Sequence, residues 1–168
     1  MKRILVIGAP GSGKSTFSRS LAQLTGLPLT HIDRLYWNER GEHIGREELV
    51  TRLLPILEGE GWIIDGNFSA TFPLRLEYAT TVILLDVDFE VCEAGIRTRV
   101  GTYRPDMPFI ESEIPLELIE AARRYRSYTL PKMLAALNEH PRVKLIRFDS
   151  REKANEYLHL LKTGGENV

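Results

Sequence analysis

The stretch that decides the fold lies near the start of the chain and reads Gly8-Ala9-Pro10-Gly11-Ser12-Gly13-Lys14-Ser15, followed by Thr16. It matches the pattern G-x-x-x-x-G-K-[ST], in which glycines let the backbone curl and turn its N–H groups inward around an anion. The lysine brings an ammonium to the outer phosphates of a nucleotide, and the hydroxyl of Ser15 is placed to ligate magnesium. Residues 8–16 are therefore predicted to bind a nucleotide with Mg²⁺.

The residues on either side of this loop fit a strand, a loop and a helix in that order. The run from Arg3 to Ile7 is short and mostly apolar, as a buried parallel strand should be. After the loop, Phe17, Leu21 and Leu24 recur at helical spacing, and Gly26 is placed to end the helix. This context favours a phosphate-binding loop over a glycine-rich turn that binds nothing.

Length and composition limit the class of protein. The chain has 168 residues, 43% of them hydrophobic, which suits a single domain over residues 1–168. Its formal net charge of −1 gives no general attraction to nucleic acid. It has one cysteine, Cys92, and no apolar run long enough to span a bilayer. We expect a cytoplasmic protein with no membrane segment.

Four further apolar runs predict strands, at residues 27–32, 62–64, 80–85 and 143–148. Helical patterns lie between them and after the last one. Alternating strands and helices predict an α/β fold of three layers, a five-stranded parallel sheet with helices on both faces.

Prolines, glycines and a serine mark where several helices begin, bend or end. Pro55 lies inside a helical pattern that starts at Arg46, and we expect it to kink or restart that helix. Pro73 is placed to start a short helix, and Ser150 to cap the last one. A helix is expected from Pro115 to about residue 128, broken by Pro131. Residues 101–115 hold three prolines and are predicted to form a mobile flap, part of a lid over residues 101–128.

Ligands of parallel sheets bind beyond the carboxyl ends of the strands, and polar residues collect there in this sequence. Asp65 follows the third strand, where such a carboxylate holds magnesium directly or through water; chain order alone does not separate it from Asp86 or Asp88, and a turn aspartate is the alternative. Asp33 follows the second strand and could accept a proton from a substrate hydroxyl, or cap a helix. His31 is predicted to be a packed strand residue with a satisfied ring.

Arginines around the flap are candidates for stabilising a transferring phosphoryl group. Planar guanidinium groups suit phosphate oxygens, and a closing flap would also exclude water. We select Arg97 and Arg104 from the flap region and Arg126 from the helix beyond it. The alternative is a solvated basic face paired with nearby glutamates.

The loop at residues 8–16, Asp65-Gly66 and the arginine-bearing flap together resemble the nucleoside-monophosphate kinases, adenylate kinase in particular. A closer likeness, to bacterial topology-modulation proteins of the FlaR type, is carried by His31-Ile32-Asp33-Arg34-Leu35-Tyr36-Trp37, Trp62-Ile63-Ile64-Asp65-Gly66-Asn67-Phe68-Ser69 and Arg104-Pro105-Asp106-Met107. This resemblance implies a P-loop fold with ATP, Mg²⁺ and kinase-like machinery. It also implies that adenine sits around residues 149–151.

The chain departs from adenylate kinase where that enzyme holds its acceptor phosphate. The arginine of the Asp-Gly-Phe-Pro-Arg motif is missing after Asp65-Gly66, and Arg34 and Arg75 are candidates to compensate for it. AMP is therefore disfavoured, and the expected acceptor is a small hydroxylated metabolite or another nucleotide, bound near Asp33, Trp37 and Asn67.

Two functions follow from these observations. The first is an ATP-dependent kinase that transfers the γ-phosphoryl group to an unidentified small acceptor. The alternative is a nucleotide-dependent regulatory protein that modulates DNA topology; the net charge and the lack of a recognisable nucleic-acid-binding signature argue against it. Site chemistry favours the kinase.

Overall fold

The computed structural model describes residues 1–164, so residues 165–168 of the predicted single domain lie outside the described residues. Its strands are β1 (Arg3–Gly8), β2 (Leu29–His31), β3 (Trp62–Asp65), β4 (Thr81–Leu85) and β5 (Lys144–Phe148). They form one parallel sheet in the order β2-β3-β1-β4-β5. The predicted five-stranded parallel sheet is confirmed, with the strand that precedes the P-loop at its centre.

The central position of β1 follows from its apolar sequence. Every residue from Ile4 to Ile7 is at most 1% exposed, because strands lie on both sides and helices above and below. Leu5 is in register with Ile64 on β3 and with Val82 on β4. A strand buried on all sides must be apolar throughout, which is how it reads in the sequence.

The helices are α1 (Lys14–Thr25), α2 (Ile32–Tyr36), α3 (Arg46–Leu57), α4 (Phe72–Tyr78), α5 (Phe89–Arg97), α6 (Leu116–Arg124), α7 (Leu130–Asn138) and α8 (Arg151–Lys162). The first connection leads from the central strand β1 to β2 at one edge of the sheet. The later strands β3, β4 and β5 then follow one another toward the other edge. Right-handed crossovers therefore place α1 on one face and the later connections on the other. In agreement, α8 packs against α1, and α4 against α7.

The predicted C-terminus of α1 and the predicted N-terminal cap of α8 are confirmed. Gly26 ends α1 with a left-handed φ of 69°, and its N–H donates to the Ala22 carbonyl at 2.9 Å. Ser150 caps α8 by accepting a hydrogen bond from the Lys153 N–H at 3.2 Å. On α1 the predicted apolar face is correct at Phe17 and Leu21, but Leu24 is 38% exposed. It lies on the last turn of the helix.

Prolines disturb the helices less than the sequence suggests. Pro55 lies inside α3, which continues to Leu57 without a restart. It sits in the last turn, so it removes only one hydrogen bond before the helix ends. Pro131 does not interrupt the helical segment that follows α6 either, because a π-turn over Tyr125–Thr129 leads directly into α7. There Pro131 occupies the first turn, where a missing N–H costs little.

The flap, residues 101–115, has no regular secondary structure and is held by contacts at several points. Within it, the Gly101 N–H donates to the Glu111 carbonyl at 2.8 Å. The Arg34 guanidinium on α2 donates to the Pro105 carbonyl at 3.0 Å. Met107 is buried at 8% exposure. The flap therefore rests against α1 and α2 over the carboxyl edge of the sheet.

Across residues 1–164, no helix combines the length and the apolar character needed to cross a bilayer.

Candidate active site

The phosphate-binding loop connects β1 to α1, and its shape depends on glycine. Gly11 has a φ of 78°, and a Cβ there would overlap the backbone carbonyl of Cys92. Gly13, with a φ of 101°, immediately precedes α1. The loop is tightened by a hydrogen bond from the Ser12 N–H to the Ala9 carbonyl at 3.1 Å. Such a turn leads the first N–H groups of α1 toward an anion.

Two side chains from other parts of the chain fix this loop from behind. The Asn67 amide donates to the Gly8 carbonyl at 2.8 Å and accepts from the Gly8 N–H at 3.1 Å. Arg151, at the start of α8, donates to the carbonyls of Gly11 at 2.6 Å and Ser12 at 3.2 Å. Because the carbonyl oxygens are held on the outside, the loop amides are left for a ligand.

Lys14 is half-buried at the start of α1, directly after the loop. Its Nζ donates to the Ala9 carbonyl at 2.9 Å. Burial lowers its pKa, while the charges of Asp65 and Asp33 act in the opposite direction. The lysine of the P-loop and the two carboxylates predicted from the strand ends therefore act on one another electrostatically.

Asp65 is oriented by the histidine of the neighbouring strand. Its Oδ1 lies 2.7 Å from His31 Nδ1, and the residue is 3% exposed. Among the described residues, Oδ2 of Asp65 has no hydrogen-bond partner although it is buried. A buried, unpaired carboxylate oxygen is costly unless a ligand satisfies it. The prediction that His31 has a satisfied ring is confirmed.

The hydroxyl of Ser15 and the free oxygen of Asp65 fit magnesium. Both residues line the same cavity. In the part of the chain that is described, three or more His, Cys, Asp or Glu side chains nowhere gather into a metal-binding cluster. Magnesium in phosphate sites is usually held by one or two protein oxygens together with the phosphates and water, so the two donors suffice.

Asp33 lies in the first turn of α2 and lines the cavity beside Lys14. Burial raises its pKa, and the neighbouring carboxylates of Asp65 and Asp106 add to this effect, while Lys14 and Arg104 oppose it. A carboxylate with a raised pKa is a stronger proton acceptor than an exposed aspartate. The chemistry available at this position is therefore that of a general base.

All these groups line one cavity of about 1120 Å³ at the carboxyl edge of the sheet. The P-loop residues from Pro10 to Thr16 form one end; Gly8 and Ala9 lie behind them and do not line it. Another part of its wall is aromatic and includes Trp37, Phe68 and Phe109. The ring centroids of Trp37 and Phe109 lie 6.3 Å apart, edge to face. We call the part of the cavity lined by the P-loop the phosphate end, and the part lined by these rings and the flap, where the acceptor is expected, the acceptor end.

Of the three arginines selected from the sequence, the structure brings only Arg104 into the cavity. Arg97 lies outside it, because its guanidinium pairs with Glu93 one turn back on α5, at 2.7 Å. Arg126 also lies outside and donates to the carboxylates of Asp86 and Asp88 at 2.7 Å each. Arg97 and Arg126 therefore require another conformation to reach a phosphate.

The contacts of Arg126 and Arg147 show whether the Asp86 carboxylate is free to bind a metal. Burial by itself would raise the pKa of Asp86, but hydrogen bonds from these two arginines lower it overall. With both carboxylate oxygens engaged, Asp86 is an ion-pair residue. Between Asp65 and Asp86, the structure leaves only Asp65 with a free oxygen inside the cavity.

Arg75 binds backbone carbonyls within the protein, so its guanidinium is not free to bind the acceptor. It is 0% exposed and donates to the carbonyls of Gly66 and Phe68 at 3.0 Å each, and to the Asn67 carbonyl. Burial lowers its pKa to about 9. Phe68 has a φ of 31°, a strained value for a non-glycine residue, and Arg75 holds this loop in place. Of the two arginines named as replacements for the adenylate kinase arginine, Arg75 is therefore engaged by its own loop.

Several cavity residues were not selected as site residues from the sequence. They are Arg19, Arg99, Asp106, Glu111 and, as a ligand of the P-loop carbonyls, Arg151. Arg19 offered a local signal, since it lies three residues after Thr16 on the same helix face and donates to its hydroxyl at 3.3 Å. The others depend on contacts between distant parts of the chain.

No protein-family model matches this chain. A curated relative, the shikimate kinase of Rhodococcus jostii (strain RHA1), is 31% identical over 117 residues, which cover 61% of this chain and 68% of that protein.

Solved structures match over almost the whole chain. A shikimate kinase from Bacteroides thetaiotaomicron superposes with a TM-score of 0.58 at 18% identity, covering 99% of both chains. A gluconokinase from Sinorhizobium meliloti 1021 superposes with a TM-score of 0.56 at 16% identity, covering 97% of this chain and 90% of that one. At these identities the structures establish the fold, which is the α/β fold of P-loop kinases.

Proposed function

The chain belongs to the shikimate kinase family of P-loop kinases, and from this membership and the geometry of the cavity we propose that it transfers the γ-phosphoryl group of ATP to a hydroxyl of a small acceptor. The observation that carries the proposal is the meeting of Lys14, Asp65 and Asp33 in one cavity at the end of the P-loop. They are a phosphate-binding cation, a metal-binding carboxylate and a proton acceptor, which are the groups that phosphoryl transfer requires.

The P-loop is the proposed ATP site. Its backbone amides would surround the β- and γ-phosphates, and Lys14 would turn from the Ala9 carbonyl to the phosphate oxygens. Adenine is assigned to the region around residues 149–151, which includes Arg151. That arginine holds the loop in its phosphate-binding shape through the carbonyls of Gly11 and Ser12.

The proposed magnesium ligands are the Ser15 hydroxyl and Asp65 Oδ2, the latter directly or through water. When bound, magnesium would neutralise charge on the β- and γ-phosphates. His31 fixes the orientation of Asp65 by its hydrogen bond to the other carboxylate oxygen. This arrangement resembles the way outer partners orient metal ligands in other sites.

The acceptor is proposed to lie between Asp33 and the aromatic residue Trp37. Its hydroxyl oxygen would attack the γ-phosphorus, forming one P–O bond as the bond from the γ-phosphorus to the β,γ-bridging oxygen breaks and ADP leaves. The hydroxyl proton would pass to the Asp33 carboxylate. Asn67 lines the same region, but both ends of its amide are bonded to Gly8, so we assign it to the support of the loop.

Arg104 is the proposed flap residue that faces the transferring group. It lines the cavity beside Arg99, and the flap above them would exclude water from the reaction. We also place the protein in the cytoplasm, which suits its single buried thiol, Cys92. The narrower likeness to topology-modulation proteins stays a prediction, and the comparisons favour the kinase over the DNA-binding alternative.

Turnover tests the proposal directly. ADP release from ATP and Mg²⁺, measured by an enzyme-coupled assay over a panel of hydroxylated acceptors, should fall about 100-fold or more in Lys14→Ala, because the lysine stabilises charge on the phosphates. The matched control is Lys162→Ala at the exposed end of α8, which should retain wild-type rates. A Lys14→Ala protein that is folded and fully active would refute the kinase.

A further inference from the structure

Arg99 is an arginine of the cavity wall to which the mechanism above gives no role. It lies two residues beyond the end of α5, between that helix and the flap, and lines the same cavity as the P-loop. Its side chain is largely buried, at 16% exposure. A guanidinium group that is held beside a phosphate-binding loop is a candidate ligand for phosphate oxygens.

One donor of the Arg99 guanidinium is unused. Its Nη2 donates to Glu111 Oε1 at 2.9 Å, which fixes the orientation of the group. Its Nε lies 2.8 Å from Glu111 Oε2, but the N–H is not directed at that oxygen. Among the described residues, this buried Nε therefore has no hydrogen-bond partner. A buried donor without a partner costs free energy, which an anion that bound there would recover.

The charges around Arg99 also favour an added anion. Arg99 and Arg104 both contact Glu111. Arg104 and Arg19 both contact Asp106. Three guanidinium groups thus share two carboxylates, which leaves one positive charge in excess. Burial, together with the nearby charge of Arg104, lowers the pKa of Arg99, while Glu111 opposes this effect. A further negative charge beside Arg99 would therefore stabilise its charged form.

Electrostatic effects on two other residues distinguish the positions of Arg99 and Arg104. Burial lowers the pKa of Lys14, and the charge of Arg99 adds to this lowering. Burial raises the pKa of Asp33, and the charge of Arg104 opposes that rise. Because the interaction of two charges weakens with distance, Arg99 lies toward the P-loop lysine and Arg104 toward the proposed proton acceptor. The P-loop lysine reaches the outer phosphates of a nucleotide, and the γ-phosphate is the outermost.

We propose that Arg99 binds the γ-phosphate of ATP, whereas Arg104 acts on the acceptor side of the transferring group. Arg99 Nε donates to a γ-phosphate oxygen while its Nη2 stays with Glu111, so that this carboxylate orients the arginine before the nucleotide binds. Arg99 thereby favours ATP over ADP, which lacks that phosphate. The inference rests on the proposed kinase function and adds a phosphate-binding residue to it.

Calorimetry on the full chain with β,γ-imido-ATP and with ADP, each in the presence of Mg²⁺, tests this inference without turnover. Arg99→Ala should weaken the binding of β,γ-imido-ATP about tenfold or more, because a charge-assisted hydrogen bond to the γ-phosphate is lost. The affinity for ADP should change by less than about threefold, and retained ADP binding also shows that the variant is folded. Should Arg99→Ala fail to fold, Arg99→Gln, which keeps a polar side chain beside Glu111, replaces it with the same expectation.

Two variants serve as controls. Arg52→Ala removes an arginine from an exposed ion pair on α3 and should bind both nucleotides as the wild type does. Arg104→Ala should keep the wild-type ratio of the two affinities, because its guanidinium acts on the acceptor side. An Arg99 variant with the wild-type ratio, or an Arg104→Ala protein that loses the ratio as strongly as Arg99→Ala, would overturn the inference. Wild-type protein that binds neither nucleotide would overturn the proposed kinase function and the inference with it.

Discussion

The two ends of the cavity are built in opposite ways. At the phosphate end, backbone amides and Lys14 form the site, and the supporting side chains Asn67 and Arg151 bond to the loop's own backbone. At the acceptor end, charged side chains from the flap and α1 pair with one another, as Asp106 does with Arg19. The loop amides are available to an anion, whereas most of the cations beside the flap already have carboxylate partners; among the described residues, Arg99 Nε is buried without a hydrogen-bond partner. We therefore propose that specificity for the acceptor resides in the flap.

Of the changes considered, replacement of Asp33 should have the largest effect on catalysis. Asp33→Asn removes the proton acceptor, and kcat should fall by about 100-fold or more. In the wild type, burial raises the pKa of Asp33, so log(kcat/KM) should decline on the acid side with a midpoint above the ordinary value of 3.8. The asparagine variant should lose that acid limb. A pH profile unchanged in shape would contradict the assignment.

Stability separates this catalytic role from a structural one. Because the folded chain binds the Asp33 proton more tightly than the unfolded chain does, ionised Asp33 destabilises the fold at neutral pH. The penalty is full above the raised pKa and disappears as the pH falls through it toward 3.8. Asp33→Asn should therefore melt at a higher temperature than the wild type at pH 7, even though it is less active. A lower Tm would mean that Asp33 mainly supports the structure.

At the phosphate end, two glycine substitutions should show whether overlap with neighbouring backbone costs more stability than a left-handed φ alone. Gly11 and Gly26 have similar φ values of 78° and 69°, but only a Cβ on Gly11 overlaps other backbone. Gly26→Ala should lower the free energy of unfolding by about 1 kcal/mol, the cost of a left-handed alanine. Gly11→Ala should cost roughly 2 kcal/mol or more and weaken ATP binding. Equal losses in urea unfolding would show that the tight approach to Cys92 is unimportant.

The phosphate end could be predicted from the sequence because it is local. Lys14 and Ser15 lie within the pattern that shapes the loop, and Asp33 and Asp65 follow apolar runs that end at one edge of the sheet. The topology of a parallel sheet then brings these residues together. The closing glycine of α1 was accessible for the same reason, whereas the order of the strands was not predicted.

The acceptor end could not be predicted, because its contacts join distant residues. Arg19 and Asp106 are separated by 87 positions, and no periodicity links them. Arg97 looked like a flap arginine by proximity in sequence, yet Glu93 lies one turn away and captures it. In the sequence Arg75 was a candidate to bind the acceptor, but its guanidinium donates to the backbone carbonyls of Gly66 and Phe68. The partners of charged side chains are chosen by tertiary packing, which spacing does not encode.

The account depends most directly on the binding of a triphosphate by the loop amides and Lys14. Calorimetry and thermal melting with ATP and Mg²⁺ measure this binding. We predict saturable heat with one ATP per chain, and a Tm that rises with ATP concentration because ligand binds only the folded state. Both signals should be lost in Lys14→Ala. Absence of heat together with an unchanged Tm in the wild type would contradict the central claim.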